Sequence, residues 1–305
     1  MKTISISSVN VGTYMIGEVD ISWKKVEQER HRICEKLILK CVENKVDIIC
    51  TQEDILLSDY DKEGPYEAEF YELYGKHNYF AISYCAFHEN ASDVIQKLHP
   101  NRNIKLGNVI YIHRSQVYNV IPIPQTFPTH LCIAYCIIHG KIKLANVHLC
   151  GGRFDDQLVF QEEDTYIKKL KQIRAIEPST IICGDMNSTR YIRKPGGLKN
   201  WDYPSVLAKT DSLTIDQKMK WETWQCNPIE FLFSHPKIPY RCAFNDEELI
   251  SIGETTSRGG YIVDWIFYDV NQVKCSESKV IKLYGDYMSN LSDHHMISST
   301  FSINN

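Results

Sequence analysis

The feature of this 305-residue sequence that most restricts its fold is a set of short apolar runs, each followed by a polar side chain. Carboxylate, amide and imidazole groups stand at these positions, and they are spread over nearly the whole chain. They are Asn10 after Ile4-Ser5-Ile6, Glu53 after Asp47–Cys50, His148 after Leu144–Val147, Asp185 and Asn187 after Ile181–Gly184, and Asp293 and His294 close to the end of the chain. Buried strands that carry oxygen and nitrogen ligands at their ends predict one convergent site for a hard cation and a phosphate group.

A further carboxylate, Asp264, lies inside the apolar run Tyr261–Phe267, where a charge is costly unless it is paired. A histidine is a natural partner, because a carboxylate bound to one ring nitrogen fixes the tautomer and sustains the imidazolium. We expect His294 to be that partner and the neighbouring Asp293 to face a metal. We expect the neighbouring His295 to have only a structural role, since consecutive residues of a strand point to opposite faces.

Composition and charge restrict the class of protein. The 43% hydrophobic content is sufficient for a sizeable core. Residues with a chemical role extend from position 10 to position 294 without a repeat or a Gly/Ser linker, so we predict one domain over 1–305. The net charge of −4 argues against a strongly basic surface that coats a long duplex, but it leaves room for a local basic mouth.

The cysteines and the termini bear on the compartment. The 11 cysteines form no CxxC pair, and several lie in apolar runs, so we interpret them as buried, reduced thiols. The first apolar run begins at Thr3 with no visible secretory signal, and no stretch approaches the ~20 apolar residues that span a bilayer. We therefore expect an intracellular monomer, in the cytoplasm or nucleus, with no membrane segment.

Hydrophobic periodicity alternates between strands and helices along the chain. Trp23–Asn44 and Leu158–Ile176 both have apolar residues at helical spacing. Gly140-Lys141 predicts a tight hairpin turn, and the polar segment 189–235 indicates loops and short helices around a site. The other predicted elements are a helix over Glu67–Gly75 and strands over Ile4–Asn10, Val46–Gln52, Tyr79–Tyr84, Asn108–His113, Val117–Pro122, Leu131–Ile138, Lys141–Leu149, Thr180–Cys183, Tyr261–Tyr268, Ser278–Tyr284 and His295–Ile303.

In this order, the polar signatures resemble the endonuclease/exonuclease/phosphatase superfamily, which includes deoxyribonuclease I and exonuclease III-type nucleases. The motifs that carry the resemblance are Ser8-Val9-Asn10, Thr51-Gln52-Glu53, Asn146-Val147-His148-Leu149, Gly184-Asp185-Met186-Asn187, Val263-Asp264-Trp265-Ile266-Phe267 and Ser292-Asp293-His294. The resemblance covers essentially the full chain. It implies an α/β fold, a four-layer α/β/β/α sandwich of two packed mixed sheets flanked by helices.

The resemblance also implies a metal centre. Glu53 would be the principal Mg²⁺ ligand, and Asn10 and Asp293 would lie close to the metal, with Mn²⁺ able to substitute. The activity implied is metal-dependent hydrolysis of a phosphate ester.

Five residues receive catalytic roles from the same resemblance. Asp185 would align or activate the attacking water, and Asn187 would help to bind the scissile phosphate. His294, oriented by Asp264, would contact the phosphate and stabilise its developing charge. His148 would lie opposite, near a non-bridging or leaving oxygen.

The substrate is suggested by basic and aromatic residues near the motifs. Arg and Lys side chains can hold flanking phosphates, and an aromatic ring can stack on a base. The predicted substrate-binding residues are Arg153, Arg190, Arg193, Lys194, Trp201 and Arg258. The alternative interpretation of Arg190–Trp201 is a solvated basic loop with its Trp anchored in the core, and the sequence leaves both open.

Three functions follow, in order of preference. The first is a Mg²⁺-dependent nuclease or end-processing phosphodiesterase that acts on DNA or RNA, preferably on single strands or strand ends. The second is a phosphatase or phosphodiesterase of phosphoinositides or other small phosphoesters. The third is a catalytically silent binding module, which the presence of all the principal positions argues against.

Overall fold

A computed structural model describes residues 2–12, 23–59, 66–90, 99, 101–123, 133–149, 176, 179–187, 191–194, 197–200, 229, 232–233, 235–244, 262–283 and 294–304. Its strands are β1 (Thr3–Asn10), β2 (Ile48–Asp59), β3 (Glu67–Ala68), β4 (Tyr79–Asn90), β5 (Arg102–His113), β6 (Val120–Pro122), β7 (Ile133–Ile138), β8 (Ile142–His148), β9 (Ile181–Asp185), β10 (Tyr191–Lys194), β11 (Gly197–Asn200), β12 (Tyr240–Cys242), β13 (Asp264–Asp269), β14 (Val273–Ile281) and β15 (Met296–Ile303). Helices α1 (Trp23–Glu43) and α2 (Tyr71–Lys76) and a 3₁₀ helix (Arg114–Asn119) complete these elements.

The strands form two mixed sheets and a separate hairpin. The first sheet has the order β14-β15-β1-β2-β5-β4, with β3 paired to β2, and the second has the order β12-β13-β9-β8-β7-β6. In the first sheet β1 is parallel to β2 and antiparallel to β15, and in the second β8 is parallel to β9. Strands β10 and β11 pair only with each other among the residues described.

The two sheets pack face to face through an apolar core. Ile6 and Ile48 from the first sheet belong to one buried cluster with Val147, Ile182 and Phe267 from the second. Each of these side chains is inaccessible to solvent, and burial of such a side chain contributes about 1.5–3 kcal/mol. The continuously apolar sequence Ile48–Cys50 is explained by burial on both faces of the first sheet, because Ile48 and Cys50 belong to this cluster and Ile49 belongs to a second one.

Helix α1 covers the other face of the first sheet. Its buried positions Ile33, Leu37 and Cys41 recur at helical spacing and contact a cluster that includes Ile49 and Tyr111. The predicted sandwich of two mixed sheets with flanking helices is therefore confirmed. The second predicted amphipathic helix, Leu158–Ile176, lies outside the described residues except for Ile176, which is helical.

Several predicted boundaries are wrong. The second strand continues beyond Glu53 to Asp59, so Glu53 is not a strand end, and Asp264 begins its strand rather than lying within it. The predicted helix over Glu67–Gly75 divides into β3 and α2. The predicted strand over Val117–Pro122 begins as a 3₁₀ helix, since only its last three residues pair with β7.

The hairpin turn predicted at Gly140-Lys141 is centred one residue earlier. His139 and Gly140 have φ values of 50° and 72°, the left-handed pair that a tight turn between β7 and β8 requires. The polar segment 189–235 contains the hairpin β10–β11 rather than loops alone.

The described cysteines are free thiols, six of them buried. Burial raises the pKa of the Cys34, Cys41 and Cys136 thiols, so these sulfurs remain protonated and act as small apolar groups. None of the helices in the described ranges has the length and hydropathy needed to cross a bilayer.

Candidate active site

The register of the second sheet brings three predicted site residues side by side. Asp185, at the end of β9, is paired with His148 of the parallel strand β8 and with Asp264 of the antiparallel strand β13. A side chain therefore flanks Asp185 from each neighbouring strand at the same edge of the sheet. All three residues are buried or nearly so.

Asn10 joins this edge to the first sheet. Its Nδ2 donates to Glu53 Oε1 at 3.1 Å and to Asp185 Oδ2 at 3.0 Å, so that one amide holds two carboxylates from different sheets. Its Oδ1 accepts a hydrogen bond from the Gly12 amide at 2.7 Å, which fixes the orientation of the side chain. The resemblance implies that Asn10 lies close to a metal. The structure keeps it beside Glu53 but turns its nitrogen, rather than its oxygen, toward the carboxylates.

Glu53 occupies an irregular position in β2. The pairing between β2 and β5 shifts between Thr51 and Asp54, and Glu53 has a φ of 56°, in the left-handed region. Its carboxylate lies 3.3 Å from His148 Nε2 and is 93% shielded from solvent. A Cβ at Gly12 would lie 1.8 Å from Glu53 Oε2, so a side chain there would displace this carboxylate from its present position.

His294 and Asp264 form a buried pair. His294 Nδ1 donates to Asp264 Oδ2 at 2.8 Å, and the opposite ring nitrogen, Nε2, lies 3.8 Å from Asp185 Oδ2. The carboxylate of Asp264 thus holds the proton on Nδ1 and directs Nε2 toward Asp185.

His148 and Asn187 form a second polar pair on the opposite side of Asp185. Asn187 Nδ2 donates to the carbonyl of Leu149 at 2.8 Å, which identifies this atom as nitrogen, and it lies 3.1 Å from His148 Nε2. His148 Nε2 can accept from this amide when the ring is neutral, and it also lies 3.3 Å from Glu53 Oε1 and 3.8 Å from Asp185 Oδ2. Asn187 has a φ of 45° and donates its backbone N–H to Asp185 Oδ1 at 2.8 Å, which forms an Asx turn.

Gly184 is required by the close approach of two strands. Its φ is 140°, and a Cβ there would lie 1.9 Å from the carbonyl oxygen of Val147 on β8. The glycine of the Gly184–Asn187 motif thus allows β8 and β9 to pair closely enough to set His148 beside Asp185.

The donor set fits a hard divalent cation. One candidate ligand atom from each of Glu53, His148 and Asp185 lies within 4.8 Å of the others, and the same holds for Asp185, Asp264 and His294. Asn187 lies against His148 Nε2 and Asp264 is bonded to His294 Nδ1, so the carboxylate oxygens of Glu53 and Asp185 are the natural candidate ligands. Carboxylate oxygens are the ligands that Mg²⁺ prefers.

The other predicted site residues lie on the hairpin β10–β11 or outside the described residues. Arg193 and Lys194 lie on β10, where Arg193 pairs with Leu198 and Lys194 with Gly197 of β11. Five predicted residues lie outside the described residues, namely Asp293, Arg153, Arg190, Trp201 and Arg258.

A polar network beneath the site received no role from the sequence. Gln52 Nε2 donates to Asn146 Oδ1 at 2.6 Å, and Asn146 Nδ2 donates to the carbonyls of Thr51 and Val109, each at 2.9 Å. Asn146 belongs to the second sheet, so these bonds fasten it to the first. Gln52 and Asn146 both belong to the motifs given above, and that membership is the only indication of their role in the sequence.

Asp54 is a further buried carboxylate that received no role. Burial raises its pKa, whereas hydrogen bonds from Tyr111 and Thr51 act in the opposite direction. Its only signal in the sequence is its position beside Glu53.

No protein-family model matches this sequence, and no curated protein matches it. Solved structures do resemble it. The human Nocturnin catalytic domain with bound sulfate anion has 13% identity and a TM-score of 0.54, over 99% of this chain and 94% of that one. The AP endonuclease LMAP from Leishmania major has 11% identity and a TM-score of 0.54, over 98% and 87%.

A third similar structure is the endonuclease/exonuclease/phosphatase from Bacteroides vulgatus, with 10% identity and a TM-score of 0.51 over the full length of both chains. At these identities the likeness concerns the fold. The two mixed sheets, their order and the similar structures agree with the resemblance seen in the motifs, and the chain has the fold of the endonuclease/exonuclease/phosphatase superfamily.

Proposed function

We propose that this protein is a divalent-cation-dependent phosphoric ester hydrolase that acts on nucleic acid. The observation that carries the proposal is the convergence of Glu53, Asp185, the Asp264–His294 pair and His148 at one edge of the two sheets. Such a set can bind a phosphate ester and hold a water beside it.

Glu53 would be the principal ligand of the cation, with Asp293 as a further predicted ligand. Asn10 keeps the carboxylates of Glu53 and Asp185 together by donating to both, so that Asp185 lies beside the cation. A bound Mg²⁺ or Mn²⁺ would supply Lewis-acid neutralisation of the phosphate oxygens.

Asp185 would orient the attacking water and accept its proton. Asp185 Oδ1 accepts the backbone N–H of Asn187, and Asp185 Oδ2 faces Asn10 and both histidines. The carboxylate is therefore fixed on one side and directed toward the reacting centre on the other. Preorganised groups of this kind typically contribute ~10²–10³ in rate each.

His294 would stabilise the charge that develops on the phosphate. With Nδ1 bonded to Asp264, a protonated ring presents Nε2–H toward the region beside Asp185. Asp264 would sustain the imidazolium without contacting the substrate.

His148 and Asn187 would bind the phosphate from the other side. The amide of Asn187 links the Leu149 carbonyl to His148 Nε2, which keeps both side chains beside Asp185. A phosphate oxygen that entered this region would compete with His148 for the side-chain N–H of Asn187.

We prefer nucleic acid as the substrate because basic residues follow the Gly184–Asn187 motif closely in the sequence. The hairpin β10–β11 begins four residues after Asn187 and contains Arg193, Lys194 and Lys199. A local basic element on a protein of net charge −4 suits a single strand or a strand end better than a long duplex.

The test is turnover with Mg²⁺ on a substrate panel, run beside the Asp185→Asn variant. The panel contains single- and double-stranded DNA, RNA, a 5′-tyrosyl oligonucleotide and a soluble inositol polyphosphate. We expect cleavage of a nucleic acid that stops with EDTA and falls by ~10²–10³ in Asp185→Asn.

The matched control is Asp269→Asn. Asp269 is also buried, but it lies at the opposite end of β13 from Asp264 and accepts from the Asn271 amide and Gln272. Its variant should keep normal turnover. Phosphate release from the inositol compound alone would redirect the proposal to small phosphoesters, and turnover that persists in EDTA would refute the cation.

A further inference from the structure

The metal ligand proposed for this site depends on a local distortion of β2. Thr51 pairs with Val109, and the next pair is Asp54 with Gly107, so Gln52 and Glu53 stand opposite the single residue Asn108. This is a β-bulge, in which one strand contains an extra residue.

The bulge determines the direction of Glu53. In the preceding part of β2, Ile49 packs in the cluster beneath α1, and alternation along a regular strand would direct residues 51 and 53 to that same face. Glu53 instead contacts Asn10 and His148 at the site. A regular strand would therefore leave the site without this carboxylate.

The bulge needs support because its backbone is unfavourable. Glu53 has a φ of 56°, and a left-handed conformation costs a non-glycine residue about 1–2 kcal/mol. The surrounding structure must offset this for the conformation to persist.

Asp54 supplies that support from the face beneath α1. Its Oδ2 accepts from Thr51 Oγ1 at 2.8 Å and from Tyr111 Oη at 2.8 Å, so it connects the residue before the bulge, the residue after it and the neighbouring strand. Tyr111 is itself held by stacking on Tyr74, with ring centroids 3.9 Å apart. Asp54 is 3% exposed and lies away from the proposed substrate.

We propose that Asp54 is a positioning residue that acts through the backbone of Glu53. Held by Thr51 and Tyr111, it fixes the bulge in the form that brings the Glu53 carboxylate to the cation. This inference rests on the proposed function, since it requires that Glu53 bind a divalent cation. Its loss should weaken cation binding more than substrate binding.

The experiment measures Mn²⁺ binding by electron paramagnetic resonance in the full chain without substrate. We expect Asp54→Asn and Tyr111→Phe to raise the Kd for Mn²⁺ by ~10-fold or more, as residues that orient a metal ligand typically do. In turnover assays both variants should need more Mg²⁺ for half-maximal rate, with little change in KM at saturating Mg²⁺.

Tyr79→Phe is the matched control for Tyr111→Phe. Tyr79 is also a fully buried tyrosine of the first sheet, and its hydroxyl donates to the Val46 carbonyl at 2.6 Å, far along the sheet from the bulge. A purely structural role would give Tyr79→Phe and Tyr111→Phe the same loss of thermal stability and the same wild-type Kd for Mn²⁺. Only a positioning role of Asp54 predicts a higher Kd for Mn²⁺ in Tyr111→Phe than in Tyr79→Phe.

The outcomes distinguish this inference from the proposed function. If the wild-type protein binds Mn²⁺ and both Tyr111→Phe and Asp54→Asn bind it equally well, the proposed role of Asp54 is overturned. The proposed function then remains intact. Wild-type protein that binds no Mn²⁺ would overturn both. Should Asp54→Asn fail to fold, the Kd values of Tyr111→Phe and Tyr79→Phe decide the question.

Discussion

Two clusters of buried ionisable side chains lie on opposite faces of the first sheet, and their charges are compensated in different ways. In the ion-pair cluster beneath α1, Arg30 forms a salt bridge with Glu69, whose other oxygen lies 2.8 Å from His99 Nε2. In the site cluster, Glu53 and Asp185 share the amide of Asn10 and have ligand atoms within 4.8 Å of each other. One carboxylate faces a permanent cation and the other faces a second carboxylate.

The difference distinguishes structural charge from functional charge. The guanidinium of Arg30 cannot lose its proton, so the ion-pair cluster is complete within the protein. The site cluster brings two carboxylates together, an arrangement that repulsion disfavours until a cation is added. Proteins accept such local instability where a ligand will bind.

The largest expected contrast is in stability. Glu69→Gln should lower the free energy of unfolding by about 3–5 kcal/mol, because it leaves the buried guanidinium of Arg30 without its carboxylate. Glu53→Gln should leave it unchanged or raise it in EDTA, because a repelling charge is removed. Urea unfolding of both variants measures the difference, and equal losses would show that the two clusters are not different in kind.

The next effect concerns catalysis within the site cluster. Asp264→Asn and His294→Ala should each lower kcat by ~10²–10³, and the double variant should lose little more than the worse single one. The reason is that Asp264 acts through the ring that it orients, at 2.8 Å. Single-turnover rates of the four proteins test this, and strictly multiplicative losses would dissolve the pairing.

A smaller effect is the pH dependence of the ion-pair cluster. Burial by itself raises the pKa of Glu69, but Arg30 and His99 outweigh it, so the pKa is lowered. The pair's contribution is then full above the pKa of an unfolded Glu, about 4.3, and is lost as the pH falls through the lower folded value. The stability gap between wild type and Glu69→Gln should therefore narrow below about pH 4.3 in unfolding experiments. A constant gap between pH 7 and pH 3 would contradict the lowered pKa.

The smallest expected effect comes from the hairpin β10–β11. Since consecutive residues of a strand alternate between its faces, we expect only one of Arg193 and Lys194 to contact a phosphate. Neutralising that residue should reduce the salt dependence of KM by about one unit of log–log slope. Arg193→Gln and Lys194→Gln serve as controls for each other. Unchanged slopes in both variants would remove the hairpin from the substrate-binding surface.

Much of the site was predictable because its residues follow apolar runs. Asn10, His148 and Asp185 stand at the ends of their strands, as the pattern indicates, and sheet pairing then brings them together without further information. Asp264 was predicted inside its strand but begins β13, and the pairing of β13 with β9 is what sets it beside Asp185.

The rest depends on contacts distant in the sequence. The β-bulge at Glu53 cannot be predicted from the hydrophobic pattern of β2, because the extra residue is recognised only when β2 is paired with β5. The donors that hold Asp54 include Tyr111, 57 residues away, and the partner of Arg30 is 39 residues away at the start of a segment predicted as helix. Hydrophobic periodicity carries no information about such polar pairs.

The position of β15 has a consequence for how the protein is made. This strand follows all the others along the chain, yet it lies between β14 and β1 inside the first sheet and pairs with Thr3–Ser8. While the chain emerges from the ribosome, the β1 edge therefore stays open until β15 is synthesised, and an open edge is a place where chains associate wrongly. His294 directly precedes β15, so the nascent chain closes its vulnerable edge and completes its pair with Asp264 in the same late step.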